Sequence, residues 1–135
     1  MESISIYSDI KNIPIATRFV DLFLKKNNID YSKKTAIVLD EILSNISKYS
    51  YSHNKNGPIN IICDYKKNNK TFILQFIDYG IEFNPLNASS VDTTLSLENR
   101  CTGGLGIFIV KCIMDEINYK RDVKKNVLTL KKFFS

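Results

Sequence analysis

The 135-residue sequence has three cysteines, one histidine and no long apolar run. Cys63, Cys101 and Cys112 stand far apart with no Cys-x-x-Cys pair, and His53 is the only imidazole, which argues against a zinc site. An odd number of widely spaced thiols suits a reducing compartment, and Cys63 and Cys112 fall inside apolar patterns where cysteine acts as a small hydrophobe. The longest strongly apolar stretch, Leu105 to Met114, is broken by Lys111 and falls far short of the roughly 20 residues that cross a bilayer. The opening Met1 to Ile6 lacks the basic, apolar and small-residue segments of a secretory leader, so a cytoplasmic protein without a membrane anchor is expected. Basic and aromatic residues are not interleaved as on a nucleic-acid surface, so no direct nucleic-acid contact is expected.

What is present describes one ordinary globular domain over residues 1–135. Hydrophobic residues make up 44% and charged residues 24%, enough apolar material to build a core without disulfides. The net charge of +5 favours anionic ligands or acidic partners. Most of the basic residues come as lysine pairs, such as Lys33-Lys34 and Lys124-Lys125, at turns or chain ends, where a solvated surface explains them.

Ser3 to Tyr7 alternates as a short strand. Pro14 opens a stretch with Ile15, Phe19, Leu22 and Phe23 at helical spacing, ending near Asn27-Asn28. Ser32 is suited to cap a second helix, the longest, since no Gly or Pro follows until Gly57-Pro58. Ile59 to Tyr65 and Thr71 to Ile77 read as a hairpin around a polar turn. From Tyr79 to Thr102 turn formers dominate and periodicity is lost, which predicts a long functional loop. A third helix over Leu105 to Met114 is apolar nearly all round and is expected to be buried. Strands around 116–120 and 126–132 finish the chain. Helices grouped between strands fit an α/β two-layer sandwich, its sheet mixed or mainly antiparallel with three helices on one face.

Three features could carry chemistry. On the second helix, Glu41, Asn45 and Lys48 fall in one stripe opposite Ala36, Leu39, Leu43 and Ile46, and a carboxylate one turn from an amide could hold hydrated Mg²⁺. Taken alone, an ordinary wet helix face accounts for it. Asp78 ends an apolar strand and is followed by Tyr79 and Gly80, so its carboxylate could accept a hydrogen bond from an exocyclic amine while the glycine admits a ligand close to the backbone. A plain turn would look the same. Gly103-Gly104-Leu105-Gly106 opens the third helix, where backbone N–H groups and the helix dipole favour phosphate. It is neither a Walker A loop nor a dinucleotide-binding fingerprint.

Their order is more specific than any one of them. Glu-x-x-x-Asn on a helix, Asp-x-Gly after a strand, a long loop and Gly-Gly-Leu-Gly opening a helix together resemble the GHKL ATPase superfamily. Asp78-Tyr79-Gly80-Ile81-Glu82-Phe83-Asn84-Pro85 and Gly104-Leu105-Gly106-Ile107-Phe108-Ile109-Val110 make the chain most similar to the bacterial anti-sigma-factor serine/threonine kinases. It departs from the superfamily pattern in lacking a further glycine at Ile81 or Glu82, and from many anti-sigma kinases in having Tyr49 where they have histidine.

The resemblance implies ATP and Mg²⁺ as cofactors, with Asn45 as metal ligand and Glu41 as general base. It implies that Asp78, with Gly80 beside it and Thr129 as a possible water-mediated neighbour, contacts adenine. Gly103, Gly104, Leu105 and Gly106 would meet the phosphates, Lys48 would reach toward them, and residues 86–102 would form an ATP lid. The partners so implied are a sigma factor and an anti-sigma-factor antagonist as phosphoacceptor, with the chain acting as a homodimer. The chain length leaves no room for the phosphoacceptor helical hairpin of a histidine kinase.

Overall fold

A computed structural model describes residues 1–51, 56–87 and 102–135, without the side chains of 102–105. The chain runs β1 (Glu2–Tyr7), a 3₁₀ turn (Ile10–Asn12), α1 (Ile13–Lys26), α2 (Ser32–Asn45), a π turn (Ile46–Ser50), β2 (Pro58–Lys66) and β3 (Thr71–Asp78). It continues through α3 (Thr102–Ile113), β4 (Glu116–Asp122) and β5 (Lys125–Phe133). The five strands form one sheet in the order β1-β2-β3-β5-β4, and every pairing in it is antiparallel.

Strand alternation decides which face is covered. Ile59, Ile61 and Cys63 on β2, Phe72, Leu74 and Phe76 on β3, and Leu128 and Leu130 on β5 are all buried at every second position, under the helices. Burial pushes the Cys63 thiol up to about 12, which keeps it protonated and inert. Two polar residues continue this core-facing pattern at one end of the sheet. Asp78 closes β3, Asn126 is the second residue of β5, and the register places them opposite each other.

Each helix is shaped by a local choice. Helix α1 ends on Asn28, whose φ of 58° is the left-handed conformation that asparagine tolerates. There Ile29 N donates to Leu24 O at 2.9 Å and Asn28 N donates to Lys25 O at 3.1 Å, which satisfies the last carbonyls. The buried stripe of α1 is Ala16, Val20, Phe23 and Leu24, one position round from the expected one, and Ile15 and Leu22 are exposed. Two apolar stripes compete on this helix, and the one containing the small Ala16 allows the closer approach. Ser32 does not cap α2 either. Tyr31 occupies the cap position, and the Ser32 hydroxyl donates to Asp21 of α1 instead.

Helix α3 begins at Thr102 rather than Leu105, and it is not wholly buried. Ile107, Val110 and Ile113 face the core, whereas Phe108 and Ile109 are exposed. No helix among the described residues is long and apolar enough to cross a membrane.

The β4–β5 turn carries backbone strain. Asp122 pairs with Lys125, so Val123 and Lys124 form a two-residue loop, and Val123 has φ 57°. A positive φ at the first loop residue calls for glycine, and a β-branched residue there is strained by about 1–3 kcal/mol. Val123 is 85% exposed and loses no packing on replacement. Val123→Gly is expected to raise stability by about 1 kcal/mol after the glycine entropy cost, read from the urea midpoint at unchanged slope.

Candidate functional site

The stripe on α2 is not a wet face. Asn45 is buried, Glu41 is half-buried, and only Lys48, beyond the helix on the π turn, is exposed, with its Nζ 5.9 Å from the Tyr49 ring centroid. What covers the stripe is α3. A methyl group added at Gly106 would lie 1.9 Å from both Cδ and Oε1 of Glu41, so glycine is required for the two helices to meet at the carboxylate. No described glycine has a positive φ, so close approach explains this one rather than backbone freedom.

Asn45 Nδ2 donates to Glu41 Oε1 at 3.2 Å. The amide nitrogen is thereby turned to the carboxylate, and the amide oxygen is left as a hard ligand of the kind Mg²⁺ takes. Burial raises the Glu41 pKa above the usual carboxylate range; the Asn45 hydrogen bond opposes this, the Asp40 charge adds to it and the Lys48 charge opposes it. A carboxylate so raised is a better proton acceptor than an exposed one. An amide oxygen beside a carboxylate is a donor set that fits a magnesium ion taking its other ligands from phosphates and water.

The second half of the site is built at the end of the sheet. Asp78 is 3% exposed, and Asn126 Nδ2 and Gly80 N donate to its Oδ1 at 2.9 and 3.0 Å. Both of these bonds fall on Oδ1, so Oδ2, with only the Ser50 hydroxyl near the carboxylate, has capacity to accept from an incoming donor. Desolvation raises the Asp78 pKa, and the Asn126 and Gly80 hydrogen bonds, the nearby Arg121 charge and the adjacent Ser50 hydroxyl oppose it. Gly80 is held against the π turn, where an added methyl would lie 2.3 Å from Ser50 O, and Ile81 N donates to the same oxygen at 3.0 Å. Any side chain at 80 would force backbone apart.

Between these elements lies a narrow cavity. Ile42, Ile46, Phe83, Pro85 and Leu128 form apolar walls, and Asn45, Ser50, Asp78, Tyr119 and Asn126 supply polar groups. Flat apolar walls with a few converging polar groups suit a heteroaromatic base. The volume is about 10 Å³, room for roughly one water centre, and Phe83 is stacked on Tyr49 with ring centroids 5.0 Å apart.

A family model of the histidine kinase-like ATPase domain matches residues 8–132. The chain belongs to that family. No curated protein matches it. As a histidine kinase-like ATPase domain it is a GHKL-type ATP-binding protein, and the five-stranded antiparallel sheet with three helices is that fold.

Glu41, Asn45 and Gly106 are brought together by this ATPase domain, as are Asp78 and Gly80. Gly103, Gly104 and Leu105 lie in the first turn of α3, whose leading N–H groups have no intrahelical acceptor. Of the expected lid, residues 88–101 lie outside the described residues, as does His53.

Thr129 does not join the site. It sits at an odd position of β5, opposite Gln75, and Gln75 Nε2 donates to its Oγ1 at 2.9 Å on the face away from the helices. Strand alternation gives the place beside Asp78 to Asn126, three residues earlier. Asn126 also donates to Ile81 O at 2.8 Å and accepts from Phe83 N at 3.3 Å, Arg121 Nη1 at 3.2 Å and the Tyr119 hydroxyl. Arg121 Nη1 reaches Gly80 O at 2.9 Å as well. These residues clamp the segment after β3 to the sheet. Motif spacing did not reveal them, although counting the alternation of β5 back from its apolar residues would have placed Asn126 on the inner face.

Proposed function

We propose that this ATPase domain is an ATP-dependent protein kinase of the anti-sigma-factor type, which phosphorylates an antagonist protein on serine or threonine and in another state binds a sigma factor. The observation that carries this reading is the Glu41 carboxylate, half-buried and pressed against Gly106 near the start of α3. A general base belongs within reach of the phosphate-holding helix end, because the attacking hydroxyl must meet the γ-phosphorus there.

In the proposed reaction the partner's hydroxyl oxygen bonds to the γ-phosphorus and the bond to the β-phosphate bridging oxygen breaks. ADP leaves, and the hydroxyl proton passes to Glu41. Asn45 would hold Mg²⁺ by its amide oxygen, and the ion supplies neutralisation of phosphate charge when bound. Asp78 would accept from the adenine amine, and the leading N–H groups of α3 would receive phosphate oxygens. Lys48, exposed beside the site, would add positive charge. The net charge of +5 favours an acidic partner surface, and a cytoplasmic homodimer is part of the same proposal.

Incubating the protein with γ-labelled ATP and candidate antagonists tests this directly. Acid-stable label on a partner serine or threonine is expected. Acid-labile label on histidine would replace the proposal with histidine phosphorylation, and ATP-dependent capture of a partner without label would make the protein a nucleotide-gated binding module.

A further inference from the structure

Ser50 lines the cavity beside Asp78 with a side chain that has no assigned task. It is 2% exposed, and its Oγ, set beside the Asp78 carboxylate, is the one buried side-chain polar atom among the described residues that forms no hydrogen bond of good geometry. A buried hydroxyl without a well-formed hydrogen bond is a cost to folding, so its retention needs a reason.

The main chain at Ser50 is firmly held. Ile81 N donates to Ser50 O at 3.0 Å, Gly80 packs against it with no room for a methyl group, and the π turn closes through Tyr51 N to Ile46 O at 3.1 Å. That widened turn brings Ser50 over the end of β3, a placement often met at functional sites. The backbone is thus fixed, with the hydroxyl held beside the Asp78 carboxylate.

The other polar side chains of the cavity are already engaged. Asn126 spends its amide hydrogens on Asp78 and Ile81, Tyr119 donates to Asn126, and Asn45 donates to Glu41. A base whose amino group is accepted by Asp78 presents a ring nitrogen acceptor next to that amine. Asn45 keeps a second amide hydrogen but lies on α2 against Glu41, and of the two hydroxyls that line the cavity Tyr119 already donates to Asn126, which leaves Ser50, beside Asp78, to donate to it.

We infer that the Ser50 hydroxyl is a second reader of the nucleobase, donating to the ring nitrogen adjacent to the amino group that Asp78 accepts. This rests on the nucleotide-site reading. It makes base recognition two-point, an acceptor from β3 and a donor from the π turn, which would discriminate against bases that carry only one of the two groups.

Equilibrium binding of ATP and 1-deaza-ATP, in which that ring nitrogen is a C–H, is to be compared for the wild type and Ser50→Ala, with the melting temperature of each nucleotide-free protein. The wild type is expected to bind 1-deaza-ATP about 3- to 10-fold more weakly than ATP, the range of one ordinary hydrogen bond. Ser50→Ala is expected to bind both nucleotides alike, at the weaker value, and to melt no lower than the wild type because a buried hydroxyl without a well-formed hydrogen bond has been removed. Undiminished discrimination by Ser50→Ala, or a melting temperature several degrees lower, overturns the assignment. Wild-type protein that binds neither nucleotide overturns the nucleotide site itself, a separate outcome from ATP binding with unchanged discrimination.

Discussion

Glu41→Gln is expected to lower phosphoryl transfer by about 10²- to 10⁴-fold while nucleotide affinity stays within a few-fold of the wild type. Glutamine has the same shape, so its Oε1 can still accept from Asn45 Nδ2, now at 3.2 Å, and it can still pack against Gly106. What is lost is the capacity to take the hydroxyl proton. Single-turnover transfer from saturating ATP to a genuine antagonist separates this from a binding defect. Transfer at the wild-type rate would remove Glu41 from the role.

The same residue predicts a pH profile. Because burial raises the Glu41 pKa, its basic form is fully present only above that raised value. Transfer should therefore climb with pH through an acid limb displaced upward from the ordinary glutamate range, and the residual rate of Glu41→Gln should lack that limb. The stability sign is opposite. A carboxylate with a raised folded pKa costs stability progressively as pH rises from its unfolded pKa to its folded one and fully above that, so Glu41→Gln should leave the unliganded protein as stable as the wild type or more so at neutral pH.

Much of this site could be read in the sequence because its parts are local. Asp78-Tyr79-Gly80 lies at the end of an apolar strand, and Glu41 and Asn45 are one helical turn apart. Those relations survive whatever the tertiary packing does. The pairing of Gly106 with Glu41 needed the crossing of two helices that are 65 positions apart in the chain, and no spacing rule supplies that distance. Asn126 was missed for a related reason. The choice between residues 126 and 129 of β5 depends on which face of the strand turns inward, and the shift is an odd number of positions, which reverses the face. Ser50 was hidden by the π turn, since a helix continued at 100° per residue gives a different direction to the last residue of that turn. On α3 the apolar character all round suggested complete burial, yet Phe108 and Ile109 stay exposed because the sheet and α2 cover only one side.

Asp78→Asn is expected to separate binding from folding. In the folded protein Oδ1 of Asp78 accepts from Asn126 Nδ2 and Gly80 N, and an asparagine carbonyl oxygen can accept both. Its amide nitrogen then replaces the second carboxylate oxygen, and the Ser50 hydroxyl beside it can turn from donor to acceptor. The architecture should survive. Toward the base, however, an acceptor has become a donor facing a donor, and a charge-assisted hydrogen bond of about 1.5–3 kcal/mol is lost, so ATP affinity should fall at least about 10- to 150-fold. The unliganded variant should melt at or above the wild type at neutral pH, because desolvation raises the Asp78 pKa and the ionised carboxylate is a cost of folding. Asp78 has a folded pKa above its unfolded value, so that cost is complete above the folded pKa and vanishes below the unfolded one. The gap in melting temperature should therefore narrow as pH falls through this window. A variant that melts well below the wild type at pH 7, or one that keeps full ATP affinity, would show that Asp78 holds the fold rather than the base.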